Sequence, residues 1–127
     1  MYDDYTCRLY IESDRSLEEI TNTIKNFTDG SKSNKTILTD MFEIDVEESL
    51  DADKEYIDKE DGFLFYRFNV YVEPNSDDEY KKYIKSLSKL ISDLRTNGAR
   101  VVASCEFEQD ISSLTGWNWS ERTPKHP

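Results

Sequence analysis

Gly62-Phe63-Leu64-Phe65-Tyr66-Arg67-Phe68-Asn69-Val70-Tyr71-Val72-Glu73-Pro74 is the richest run of aromatic and β-branched residues in the chain, and its reading decides the fold. Such residues suit a pleated, half-buried surface, and proline cannot continue the hydrogen-bond ladder of a central strand. The alternation predicts a strand from Phe63 to Glu73 with two unlike faces. Leu64, Tyr66, Phe68, Val70 and Val72 point one way, toward a core. Phe63, Phe65, Arg67, Asn69 and Tyr71 point the other, and this mixed composition marks a half-exposed face.

Immediately upstream, Asp45 to Asp61 carries nine acidic residues against two lysines. Charge crowded in this way costs self-repulsion, so it suits a surface that meets something positive, or simply one that keeps the protein dissolved. Residues 45–61 are expected to form an acidic loop or hairpin extension, with Leu50, Tyr56 and Ile57 as its only anchors. Asp51-Ala52-Asp53-Lys54-Glu55 imitates the start of a calcium loop. Tyr56 then stands where the loop needs glycine, and Gly62 where it needs a bidentate glutamate, so no metal is expected.

Further out, Tyr5 to Ile11 alternates as a first strand, and Ser16 with Glu19 has capping-box spacing. The helix that follows buries Leu17, Ile20, Ile24 and Phe27 and stops at Asp29-Gly30. Gly30 to Lys35 is polar and reads as an exposed loop, and strand character returns near Thr36 and is clear from Phe42 to Val46. Beyond Pro74, Ser76-Asp77-Asp78-Glu79 offers a second capping box. Tyr80, Tyr83, Ile84, Leu87, Leu90, Ile91 and Leu94 then trace a helical stripe, terminated by Asn97-Gly98. Arg100 to Phe107 alternates as a last strand, with Val101, Ala103, Cys105 and Phe107 inward.

The order is β-α-β-β-α-β. Two helices on one face of a four-stranded antiparallel sheet satisfy these amphipathic surfaces, and right-handed crossovers give an α+β ferredoxin-like plait. The alternative is an α+β domain with an additional hairpin inside the acidic stretch. A chain of 127 residues fits a single domain, 1–127, with a flexible tail expected over 120–127. Trp117 and Trp119 are expected to cover an edge of the core or anchor an interface.

The formal net charge of −11 argues against nucleic acid as a partner, because phosphates require a basic surface. No apolar run is long enough to cross a bilayer, and Met1 to Asp4 is acidic where a secretion signal would be basic, so no membrane is expected and the cytoplasm is the default. Cys7 and Cys105 read as small buried side chains, with a disulfide or redox pair as the alternative. The one histidine, His126, lies in the terminal tail, so no nucleophile-base arrangement assembles around it. Four glycines form no phosphate-cradling loop, and the abundant carboxylates single out no glycosidase pair. No enzyme and no cofactor are expected.

With helices on the apolar face, the opposite face presents Arg8, Tyr10, Glu43, Asp45, Phe63, Phe65, Arg67, Asn69, Tyr71 and Glu106. Aromatic and arginine side chains suit a protein-binding surface. Base stacking of the RNA-binding kind lacks the basic frame it needs. The candidate partner residues are Arg8, Tyr10, Phe65, Arg67 and Tyr71 for buried contact, and Glu47, Glu48, Asp51 and Asp53 for steering. The plainer reading pairs Arg8 and Arg67 with Glu43, Asp45 or Glu106 across the strands.

Asp61-Gly62-Phe63-Leu64-Phe65-Tyr66-Arg67-Phe68, Val70-Tyr71-Val72-Glu73-Pro74 and Ala99 to Glu108 together resemble a family of small acidic firmicute proteins. That family is similar to immunity proteins of bacterial polymorphic toxin systems. The likeness extends over roughly Tyr5 to Asp110. It implies stoichiometric neutralisation of a cognate toxin with a basic surface, one route being to cover a basic nuclease cleft. The alternatives are a non-enzymatic regulatory or structural domain that homodimerises through its sheet face, and a small carbohydrate-active hydrolase, a label given to some relatives.

Overall fold

A computed structural model describes residues 2–76 and 79–117. Its strands are β1 (Cys7–Glu12), β2 (Ser31–Ser33), β3 (Thr36–Leu38), β4 (Phe42–Glu48), β5 (Phe68–Pro74) and β6 (Arg100–Ser104). The helices are α1 (Leu17–Thr28), α2 (Tyr80–Thr96) and α3 (Glu108–Thr115), and a 3-10 turn spans Gly62–Phe65. The strands form one antiparallel sheet in the order β2-β3-β4-β5-β1-β6.

This corrects the expected four-stranded, two-helix plait. The fold is a mixed α+β one, with a six-stranded sheet and three helices among the described residues. Residues 31–33, expected as loop, pair with β3 through a tight turn in which Asn34 takes φ 56°. All of β2 is exposed, so the hydrophobic pattern that betrays a strand is missing there. The added hairpin therefore precedes the acidic stretch instead of lying inside it. The last strand ends at Ser104, and Phe107 is buried from the start of α3.

The expected long strand is also shorter. β5 begins at Phe68, where both of its pairings end: Ile11 of β1 and Glu48, the last residue of β4, each pair with Phe68. Upstream of Phe68 the backbone has no ladder to join, and the 3-10 turn breaks the alternation: Phe63, expected outward, is buried, and it shares the second apolar cluster with Tyr66, expected on the main-core face. Leu64 is 44% exposed and Tyr66 fully buried.

Ser16 caps α1 as its spacing predicts, accepting from Glu19 N–H while Glu19 accepts from Ser16 N–H. Asp29 ends the helix in the left-handed region at φ 53°. Gly30 follows because a Cβ there would meet Ile37 Cγ2 at 2.7 Å. At the start of α2 the N-cap is Glu79, without a side-chain capping bond, and the expected box runs through residues 77 and 78, outside the described residues. Gly98, at φ 95°, supplies the terminator after α2.

The core lies between one sheet face and α1 and α2. Leu9, Ile11, Ile44, Val70 and Val101 meet Ile20, Ile24, Leu87, Ile91 and Leu94 there. Arg95 braces the edge. From α2 it donates to the Val101 carbonyl of β6, at 2.7 Å from Nη2, to Thr115 Oγ1 and to the Trp117 carbonyl. Trp117 stacks on that guanidinium, 3.4 Å from ring centroid to Cζ, and so covers an edge. Trp119 and the expected tail over 120–127 lie outside the described residues. No helix among the described residues is long and apolar enough to cross a membrane.

Candidate functional site

The sheet face away from α1 and α2 divides into two halves. One half is covered by the acidic segment after β4. Tyr10, Phe63, Tyr66 and Val102 form a second apolar cluster there, with Ile57 packed against it. Phe63 meets Tyr10 edge-on, with ring centroids 5.0 Å apart. The cover is fastened by backbone and charge. Ser49 N–H donates to the Arg67 carbonyl at 2.8 Å, Asp53 N–H to the Phe65 carbonyl at 3.0 Å, and Arg100 Nη1 to Asp58 Oδ1 at 2.7 Å. Burial pushes the Tyr66 phenol up, an effect that the nearby Arg100 charge opposes.

Several candidate residues are therefore part of the cover or lie beneath it. Tyr10, Phe63 and Asn69, expected on an uncovered face, are buried. Arg67 is held at home: its N–H donates to Glu12 Oε1 at 2.9 Å and its Nη1 to the Arg15 carbonyl at 2.8 Å. Phe65 is half-buried against Tyr56, with centroids 5.1 Å apart. Among the expected anchors, Ile57 packs down and Tyr56 leans on Phe65, but Leu50 stands fully exposed at 102%.

The other half is open, and there the register aligns side chains from four strands. Tyr71 of β5 lies opposite Asp45 of β4 and Arg8 of β1, and Arg8 lies opposite Ser104 of β6. The Arg8 guanidinium carbon is 4.8 Å from the Tyr10 ring centroid and 5.3 Å from that of Tyr71. Tyr71 thus extends the ring-cation stack from the buried cluster to solvent, and is 38% exposed. The expected pairing of Arg8 with Glu43, Asp45 or Glu106 is absent from the ion pairs of the described residues, and its buried Nε has no hydrogen-bond partner.

A depression of about 550 Å³ surrounds this pair, rimmed by Glu43, Asp45, Glu73 and Glu106. Burial pushes the Tyr71 phenol up; the Arg8 charge works against this and Glu47 adds to it. Asp4, also at the rim, is held below the usual carboxylate value by the Thr6 hydroxyl and N–H, which donate to it at 2.7 and 2.8 Å. Thr36 Oγ1 donates to Asp45 Oδ1 at 2.7 Å, which ties the rim to β3.

Glu47 and Glu48 sit exposed at the end of β4, and Asp51 is exposed in the turn that follows. Asp53 is half-buried, and its carboxylate accepts from Glu55 N–H at 3.0 Å. Glu73 and Asp4 were not among the candidates. Continuing the strand alternation one step past Tyr71 would have placed Glu73; Asp4 carries no comparable signal. Among the described residues no group of three or more His, Cys, Asp or Glu side chains could hold a metal ion. No family model, no curated protein and no solved structure matches the chain.

Proposed function

We propose that the chain is a non-enzymatic inhibitor of the immunity-protein kind, which neutralises a cognate toxin in the cytoplasm by stoichiometric association through the open half of the second sheet face. The observation that carries this reading is the stacked Arg8–Tyr71 pair at the centre of a carboxylate rim. A ring of acids desolvates poorly on its own, so it favours a partner that brings compensating positive charge. The half-exposed tyrosine and the guanidinium beneath it offer the kind of anchor that dominates protein interfaces. Glu47, Glu48 and Asp51, exposed at the neighbouring edge, extend the same field and would steer the approach.

A nuclease is the toxin class such a surface suits best, since carboxylates would stand where substrate phosphates lie. Pairing of two copies through this face would set rim against like-charged rim, and the same charge disfavours the homodimer alternative. Coexpression with the toxin encoded beside the gene tests the proposal. A complex and rescued growth are expected, and failure of both sinks it. Light scattering on the isolated chain is expected to show a monomer.

A further inference from the structure

Cys7 begins β1 and Cys105 follows β6. The ladder pairs Leu9 with Ala103 and Arg8 with Ser104, and the same register carried one pair further sets Cys7 opposite Cys105. Cys7 is buried in the main core, and Cys105 packs against that core while half-exposed. Both thiols are free, and the Cys7 thiol is pushed up first by burial and then by the neighbouring Cys105. Opposed residues of an antiparallel pair have Cα atoms about 4.5–5.5 Å apart, within the roughly 4.4–6.8 Å that a disulfide accepts. The N–H of Cys105 donates to Glu108 Oε2 at 3.2 Å, away from β1.

We propose that Cys7 and Cys105 form an oxidisable dithiol, a modification site whose oxidant is a cationic low-molecular-weight disulfide. The half-exposed Cys105 makes the first attack. Its thiolate displaces one thiolate from the small disulfide, leaving a mixed disulfide on Cys105. Cys7, held protonated by burial, then attacks the Cys105 sulfur; its proton passes to the second departing thiolate, and proximity offsets its weak acidity. The two protein thiols are oxidised to one disulfide, and the reagent is reduced to two thiols. The preference for a cation follows from Asp4, Glu106 and Glu108, which line the same depression as Cys105 and repel an anionic reagent such as glutathione disulfide.

The full-length chain treated with cystamine tests this by mass spectrometry and peptide mapping. The expected product is two hydrogens lighter than the reduced protein, carries no adduct, links residue 7 to residue 105 and reverts with dithiothreitol. At low salt it forms about tenfold faster than with glutathione disulfide, and the gap narrows as salt rises. Cys7→Ala, checked for folding by circular dichroism, stops at a cystamine adduct on Cys105; Cys105→Ser slows the reaction at least tenfold. A persistent adduct on the wild-type chain, a disulfide-linked dimer, or equal rates with the two reagents overturns the proposal. Unslowed reaction of Cys105→Ser overturns it equally, even if Cys7→Ala fails to fold.

Discussion

Tyr66 and Tyr71 flank Arg67–Val70 in the same segment, yet Tyr66 is fully buried and Tyr71 is 38% exposed. The difference lies in what each half of the sheet face offers a covering chain. Near Tyr66, the apolar atoms of Tyr10, Phe63 and Val102 reward burial, and Arg100 fastens Asp58 above them. Near Tyr71, the same cover would have to desolvate Glu43, Asp45 and Glu73, and the covering segment is itself acidic. An acidic segment can close over the apolar half of its own sheet; the carboxylate-rimmed half stays open, and it is there that the proposed partner would bring opposite charge.

The strongest way to break this comparison is truncation of the two tyrosines. Tyr66→Ala should cost about 3–5 kcal/mol of unfolding free energy, as for other buried aromatics. Tyr71→Ala should cost under about 1 kcal/mol, both read from denaturant titrations. Equal losses would mean that the two halves are not distinct. Toward the proposed toxin partner the order should reverse. Tyr71→Ala is expected to weaken binding by about 2 kcal/mol, mainly through faster dissociation, whereas Tyr66→Phe should leave affinity unchanged in calorimetry.

Arg100→Ala should sharpen the contrast further. Losing the Asp58 pair is expected to cost about 0.5–1 kcal/mol and to raise amide exchange over residues 49–66 while the core strands stay protected. Charge reversal at Glu47, Glu48 and Asp51 together should leave stability nearly unchanged and slow toxin association about tenfold at low salt, with a weaker salt dependence. An unaltered on-rate would place the interface elsewhere.

The smallest effect lies outside both halves. Bonds from Ser16 N–H and hydroxyl hold the Glu19 carboxyl below its usual 4.5. Its folded-state value is therefore depressed: the stability it adds is present above pH 4.5 and lost as pH falls through the lowered value. Glu19→Ala should melt slightly earlier than the wild type at neutral pH, and the two melting curves should converge in acid.

Much of the molecule was legible without coordinates. The helices α1 and α2 announce themselves by repeating apolar residues at helical spacing, and Phe42 to Val46 by alternation; the alternation from Arg100 marks β6 but overruns its end at Ser104 by three residues. Short β2 was not legible, because a wholly exposed strand carries no period. Of the candidate site, Arg8 and Tyr71 stand where alternation on a half-open face puts them. Tyr10 and Phe65 share that parity, but a segment distant in sequence from Tyr10 covers it, and Phe65 precedes the point where the ladder ends.

The sequence by itself determined the apolar periods of α1 and α2, where the charge is crowded and that Ser16 and Glu19 cap α1, since these depend on near neighbours along the chain. Only the tertiary structure decided that β5 starts at Phe68, that the sheet gains an outer hairpin, and that the acidic run closes over Tyr10 and Tyr66 but not Tyr71. Those outcomes depend on where partner strands end and on which surface repays the loss of water, and neither is a property of any local stretch.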